Sequence, residues 1–380
     1  MEHQNLTYDE GRGWNSPLPA HLDSPQTLVL VFAAPSLIDA TQAFAELDAA
    51  FPRSIVIGCS TSGEIAGTQL NDASLSIAVA RFEHTRLLHA STRIDGAADS
   101  FTAGMRLASQ LGKPGLRAVF VLSAGLNVNG TSLAAGLSAG LPTGVCITGG
   151  LAGDGDRFAQ TWVLDRTRRE GQHVCAVGFS GERLQVGHGS HAGWLDFGPE
   201  RHITRADGNV LFELDGKPAL DLYKTYLGAR AQGLPGTALL FPLAVRRDAR
   251  DAQVLIRTIL GIDEAANTMT FAGDLPQGGV ARLMRANTEK LIDSAGFASQ
   301  QARGALTDRD DALLISVSCV GRRLVLGQRT EEEVEMVLEG APPRSTHVGF
   351  YSYGEIAPAA RGGACELHNQ TMTVTAYSEA

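Results

Sequence analysis

Residues 58–67 read GCSTSGEIAG and follow directly on the strand-like run Ser54–Ile57. Working outward from this glycine-rich turn, Leu28–Phe32 upstream is an apolar run of strand length. Ser36 and Asp39 suggest a helix start, and Ile38, Phe44 and Leu47 give a helical stripe that Pro52 ends. Leu75–Ala80 downstream reads as a further strand. The C-terminal end repeats the plan. Ala312–Ser316 reads as a strand, Thr330 with Glu333 as a capping box before a helix over 334–338, and Val348–Tyr351 as a strand. That strand runs into Ser352-Tyr353-Gly354-Glu355-Ile356-Ala357, and Met372–Tyr377 closes the chain as the last strand. The tetrad Gly63-Glu64-Ile65-Ala66 thus recurs at 354–357, and Gly58 and Gly349 precede the two copies at equal distances. These observations predict an α/β protein with mixed β-sheets layered with helices and two related halves made by internal duplication. A weaker third echo runs through Ala118–Leu122, a helix over 129–141, and Val145–Ile147 leading into Thr148–Gly155. Asp207-Gly208 predicts a hairpin turn, Pro218 a helix start, Asn287 a helix cap, and Pro235-Gly236 a boundary.

Bulk properties narrow the function. The chain has 380 residues, 44% hydrophobic and 19% charged, with a formal net charge of −9. That composition is globular, and the acidic balance argues against nucleic acid and anionic membrane surfaces, whose recognition rests on clustered Lys and Arg. The five cysteines (Cys59, Cys146, Cys175, Cys319, Cys365) are far apart and form no CxxC pair, so neither a disulfide framework nor a structural zinc site is expected. No signal-type segment and no apolar run of membrane-spanning length is present, which makes the cytoplasm the expected location and membrane insertion unexpected. Residues 1–26 read as a loosely packed polar leader.

The words at 58–67, at 203–223 (ITRADGNVLFELDGKPALDLY), at 349–358 (GFYSYGEIAP) and the terminal His368-Asn369-Gln370-Thr371 resemble FIST proteins from about residue 28 to the end. The resemblance implies an FIST N-like part over 27–220, an FIST C-like part over 221–380, and a sensory role without catalysis. As a stand-alone FIST-like chain it resembles the NosP subgroup of nitric-oxide-sensing haem proteins. That implies haem b as cofactor, nitric oxide as ligand, and a separate histidine kinase or cyclase as partner, since the FIST-like parts use up the chain. A homo-oligomer is compatible with this reading. The alternative is an FIST sensor of an amino acid or similar metabolite without haem.

Candidate residues follow from chemistry. Haem iron needs an imidazole or another soft ligand in an apolar pocket. His188 and His191, read as lying on a glycine-rich loop beside Trp194, are the expected metal ligands, with Arg322 as the partner of a propionate. His202, His347 and His368 stand in reserve. For a metabolite, the two turns (Gly63, Glu64, Tyr353, Gly354, Glu355) together with His368 and Asn369 are the candidates. Glu64 and Glu355 are expected to accept backbone N–H bonds within their own turns rather than to face each other. Gly58-Cys59-Ser60-Thr61-Ser62 falls short of a nucleophile elbow because Ser62 stands where glycine is needed, so a hydrolase using Ser60 or Cys59 is the weakest reading.

Overall fold

The computed structural model describes residues 1–307, 309–359 and 362–380. Three copies of one strand–helix–strand unit organise it. The first runs through β1 (Glu2–Asp9), β2 (Thr27–Ala33), α1 (Thr41–Ala50), β3 (Ile55–Ser60), β4 (Glu64–Ala66) and β5 (Ser74–Arg81). The second comprises β6 (Arg86–Arg93), α2 (Ser100–Leu111), β7 (Leu116–Ser123), α3 (Gly130–Gly140), β8 (Cys146–Leu151), β9 (Val163–Asp165) and β10 (His173–Ser180). The third opens with β11 (Leu184–His191) and is interrupted by a sheet of its own: β12 (Leu195–Asp207), β13 (Val210–Leu214), α4 (Ala219–Leu227), β14 (Leu243–Arg246), β15 (Leu255–Arg257), β16 (Ile259–Asp263), β17 (Thr268–Phe271) and β18 (Val280–Arg285). It resumes with α5 (Thr288–Arg303), β19 (Leu313–Cys319), α6 (Val320–Leu326), α7 (Thr330–Gly340), β20 (Thr346–Ser352), β21 (Gly354–Pro358), β22 (Cys365–His368) and β23 (Met372–Glu379).

In each copy the strand before the helix pairs in parallel with the strand after it and antiparallel with the closing strand. Each copy also lends the short strand after its turn to another copy: β4 pairs with β20, β21 with β8, and β9 with β3. The exchange is cyclic, so the three sheets close into a ring. The weak middle echo of the sequence is therefore a third copy, and its words differ because its turn carries Asp154-Gly155 where the others carry Gly-Glu.

The strands are apolar on both faces, as parallel pairs covered on both sides must be. Leu28, Leu30 and Phe32 share a central core with Ala118, Phe120 and Leu122 and with Leu313, Ile315 and Val317, while Val29, Val31 and Ala33 face α1. Phe32 stacks on Phe350 with ring centroids 4.6 Å apart, and Phe179 on Tyr377 at 4.4 Å. Burying each such aromatic contributes about 1.5–3 kcal/mol. One glycine per copy makes the tight crossing possible: a methyl group on Gly58, Gly149 or Gly349 would run into the carbonyl oxygen of Val31, Val121 or Ser316 on the facing strand.

Several local expectations hold. Asn287 accepts from Lys290 N–H at 3.0 Å and Asn129 from Ser132 N–H at 2.9 Å, each capping its helix. Asp207 pairs with Val210 across the predicted hairpin. Others differ. Residues 2–9 of the expected leader form a full antiparallel partner of β5, because Leu6 and Tyr8 have apolar surface to bury. Thr330 and Glu333 make no capping box; Arg329 is the N-cap, and Glu333 turns inward to meet a buried arginine. Gly187 and Gly189 lie in strand β11, not in a loop, because α5 packs so closely that Ala302 O and Ala298 O fill the space of their side chains.

Candidate functional site

The three turns meet where the parallel strands end. Ser62 N–H donates to Tyr351 O at 2.8 Å, Gly153 N–H to Ser60 O at 3.0 Å, and Tyr353 N–H to Leu151 O at 3.3 Å. Each turn thus leans on another in the same cyclic order as the exchanged strands. Carboxyl ends of parallel strands are where α/β sheets bind ligands, since no strand continues to fill the space.

Two cavities open there and share Asp156, Val320 and Leu324. The polar one, about 460 Å³, is lined by Thr61, Ser62, Glu64, Asp72, Arg157 and Arg323 among others. The apolar one, about 310 Å³, is lined by Phe158, Leu239, Ile259, Leu260, Leu324 and Tyr353 with neighbours from the inserted sheet. Phe158, Leu260 and Leu324 are 49%, 48% and 45% exposed, an apolar rim left uncovered by the protein itself.

Helix α6 is the partition. Val320 and Leu324 face both cavities, Gly321 the apolar side and Arg323 the polar side. Its anchor is Arg322, fully buried, which donates to Glu333 Oε2 at 2.9 and 3.2 Å, to Ala192 O at 2.6 Å and to Leu291 O at 2.8 Å. Glu333 in turn accepts from Ser318 at 2.7 Å and Tyr351 at 3.2 Å. Every donor and acceptor of this ion pair is met, which is the condition for burying one. Arg323 reaches Asp72 at 2.6 Å and the carbonyl of Ser62. Gly63, at φ +134°, has a backbone conformation that favours glycine, and the Arg323 guanidinium packs against it where a Cβ would stand.

Glu64 accepts from Thr61 Oγ at 2.5 Å and from Ser74 N–H and Oγ at 3.2 Å. Glu355 accepts from Ser352 Oγ at 2.8 Å and from Thr371 N–H and Oγ at 3.2 and 2.8 Å. The duplicated words therefore build one duplicated bracket, a carboxyl tying its turn to the next strand. Burial pushes both carboxyls up to about 8 against these hydrogen bonds, so both are largely protonated at neutral pH. The middle copy uses Asp154 instead. Burial acts to raise its pKa, but N–H of Gln160, the Tyr353 hydroxyl and N–H of Ala159 outweigh it and hold the carboxyl below its ordinary value.

The haem constellation expected from the sequence does not assemble. His188 and His191 are on strand β11 and point to opposite faces of the sheet. His188 lines a cavity of about 390 Å³ with Val145, Cys146 and Val186, whereas His191 sits outside near Phe297. Trp194 is buried with its N–H on Gln370 O at 2.9 Å, and Arg322 is committed to Glu333. Among the reserves, His347 shares hydrogen bonds with Gly67 O at 2.7 Å and Ser316 Oγ at 2.8 Å. His368 bonds Ala357 O at 3.1 Å. Burial lowers both imidazoles to about 4, which keeps them neutral.

Of the metabolite candidates, Gly63 and Glu64 line the polar cavity and Tyr353 the apolar one, while Gly354, Glu355, His368 and Asn369 are buried behind them. Ser60 and Cys59 lie away from the cleft: Ser60 Oγ accepts from Trp162 N–H at 3.0 Å, and Cys59 belongs to the central core. Sequence reasoning missed Asp72, Asp156, Phe158, Leu260 and Leu324. They are brought together from four distant segments, and no local word marks them.

A bipartite cleft on a ring of α/β units, bordered by uncovered apolar side chains, is the kind of concave site in which proteins hold small molecules. The FIST N domain matches residues 27–217 and the FIST C domain residues 219–358, and the chain belongs to the FIST family, whose domains are sensory domains of signal transduction. It is also similar to an uncharacterized protein of Methanocaldococcus jannaschii, 25% identical over 213 residues, which are 51% of this chain and 39% of that protein. The match thus spans well under two thirds of that relative. No helix among the described residues is long and apolar enough to cross a membrane.

Proposed function

We propose that this protein senses a small amphipathic metabolite held across the two halves of the cleft. The observation that carries the reading is the pairing of a polar cavity and an apolar cavity on either side of α6. A zwitterionic head group would find both signs of charge in the polar half, Arg323 and Arg157 with Asp72 and Asp156, and would compete with Asp72 for Arg323. An apolar tail fits beside Phe158, Leu260 and Leu324. Because Leu324 is uncovered, ligand occupancy changes the surface that a separate signalling protein would contact. The test is calorimetric titration with L-phenylalanine, L-leucine and L-glutamate. Binding of the first two, weakened about tenfold in Arg323→Ala and Leu324→Asp, supports the reading; no binding of any amino acid sinks it.

A second reading keeps the nitric oxide sensor with haem b and a partner histidine kinase. What favours it is His188 beside the 390 Å³ cavity. In this reading His188 alone would hold the haem, which supplies a site for a diatomic gas, and Val145 and Val186 would shield it. A haem titration followed in the Soret region separates the two readings. An unchanged spectrum in His188→Ala removes the second.

A further inference from the structure

The inserted sheet meets the second copy at another cavity, about 160 Å³, which shares no lining residue with the cleft. Arg257, the last residue of β15, forms part of its wall and is 1% exposed. Its Nε donates to Asp274 O at 2.9 Å, and its Nη1 to Leu367 O at 3.0 Å and Ile256 O at 3.3 Å. All three acceptors are neutral carbonyls. Among the described residues no carboxylate makes ion-pair contact with it and Nη2 makes no hydrogen bond. A buried guanidinium in that condition differs sharply from Arg322, which has Glu333. A buried guanidinium held only by carbonyls has no counterion in contact, the condition under which a bound anion stabilises it.

The other charged groups around the cavity have partners of their own. Arg246 pairs with Glu200 and donates to Ala249 O at 2.7 Å. Arg247, at the surface, pairs with Glu366 at 2.6 Å. Asp274 accepts from Asn129 at 3.2 Å, beside the N-terminus of α3, where Thr131 reaches the cavity. Asp251 accepts from Gln253 N–H at 2.9 Å. Burial pulls the Arg257 pKa down to about 10, with the fields of Glu366 and Asp274 acting the other way, so the group remains cationic at neutral pH.

We propose that this cavity binds a small oxyanion, a phosphate or a carboxylate, on the free edge of Arg257, with Arg246 and Arg247 at the rim and the N-terminus of α3 adding its field. The volume suits such a group and little more, so the ligand is either the free anion or the anionic end of a molecule that extends past Arg247 into solvent. The chemistry is charge-assisted hydrogen bonding to a buried guanidinium at the inner wall of a cavity that opens at Arg247. Glu366, Asp274 and Asp251 line the same cavity and work against it, and the pairing of Glu366 with Arg247 gives the anion a competitor that it must displace.

The test uses the full-length protein with two probes, inorganic phosphate and sodium acetate, against sodium chloride at matched ionic strength. Titration calorimetry and melting temperature are the readouts. Wild type should bind at least one probe and melt higher with it; the probe that binds identifies phosphate or carboxylate as the group. Arg257→Met should weaken binding at least about tenfold, and Arg257→Lys less. Glu366→Gln leaves Arg257 in place and releases Arg247; it should tighten binding about three- to tenfold, which keeps the idea testable if Arg257→Met does not fold. No response to either probe in wild type overturns the proposal. So does binding that Glu366→Gln leaves unchanged, because the anion would then sit elsewhere.

Discussion

The turns carrying Glu64 and Glu355 are the same object twice, yet they do different jobs. Each carboxyl takes a hydroxyl three residues back and the N–H and hydroxyl of a residue at the start of the closing strand, Ser74 in it and Thr371 just before it. Glu64 nevertheless borders the polar cavity beside Arg323, while Glu355 is sealed behind the turn. The difference teaches that the Gly-Glu-Ile-Ala word encodes a way of closing a turn. Whether its carboxyl also meets a ligand is decided by what the rest of the chain lays on top.

The comparison breaks most readily at the glycines beneath both turns. Gly58→Ala and Gly349→Ala each force a methyl group onto a facing carbonyl and should destabilise by about 3 kcal/mol or more, measured by urea unfolding. A cost under about 1 kcal/mol at either site would show that the strands separate easily and that the copies are not held alike.

Protonation gives the next effect. A carboxyl whose folded pKa is raised binds its proton more tightly when folded, so its contribution is fully present below the ordinary value near 4.5 and is lost as pH rises towards about 8. Wild type should therefore lose stability across that window. Glu64→Gln and Glu355→Gln should each flatten the decline, gaining on wild type as pH rises. A cleft ligand should alter the pH dependence through Glu64 but not through Glu355. Melting curves at pH 5, 6.5 and 8, with and without ligand, decide it, and equal ligand effects on both variants would erase the distinction.

Smaller still, Thr61→Ala and Ser352→Ala each remove one hydroxyl from an equivalent bracket and should cost about 1 kcal/mol apiece. Values that differ by more than about 1 kcal/mol would mean that the brackets are not equivalent. Arg323→Ala should change stability least, under about 0.5 kcal/mol, because its carboxylate partner Asp72 is largely exposed. Its effect belongs to ligand affinity, and a large loss of stability would move Arg323 from the site into the scaffold.

Much of the fold was legible because its signals are local. Apolar runs of strand length, Asn129 and Asn287 at helix starts, Asp207-Gly208 at a hairpin and the repeated Gly-Glu-Ile-Ala word each act within a few residues of themselves. The third copy was faint because its turn lacks the Gly-Glu word and carries Asp154, whose carboxyl accepts from N–H of Ala159 and Gln160. The histidine segment 187–191 misled for a related reason. Its glycines looked like loop formers, but they are small so that α5 can approach, and only the packed helix reveals that.

Sequence by itself determined the class of protein and the repeated unit, since these rest on local patterns; the carboxyl brackets were expected within each turn, whereas their N–H donors, Ser74 and Thr371, come from outside it. Tertiary structure alone decided which residues share a cavity. Arg322 and Arg323 are adjacent and chemically identical, yet one is entombed with Glu333 and the other faces the cleft. One turn of helix α6, seen from two sides, separates scaffold from site, because successive side chains on a helix point in different directions and only the partners waiting there assign their roles.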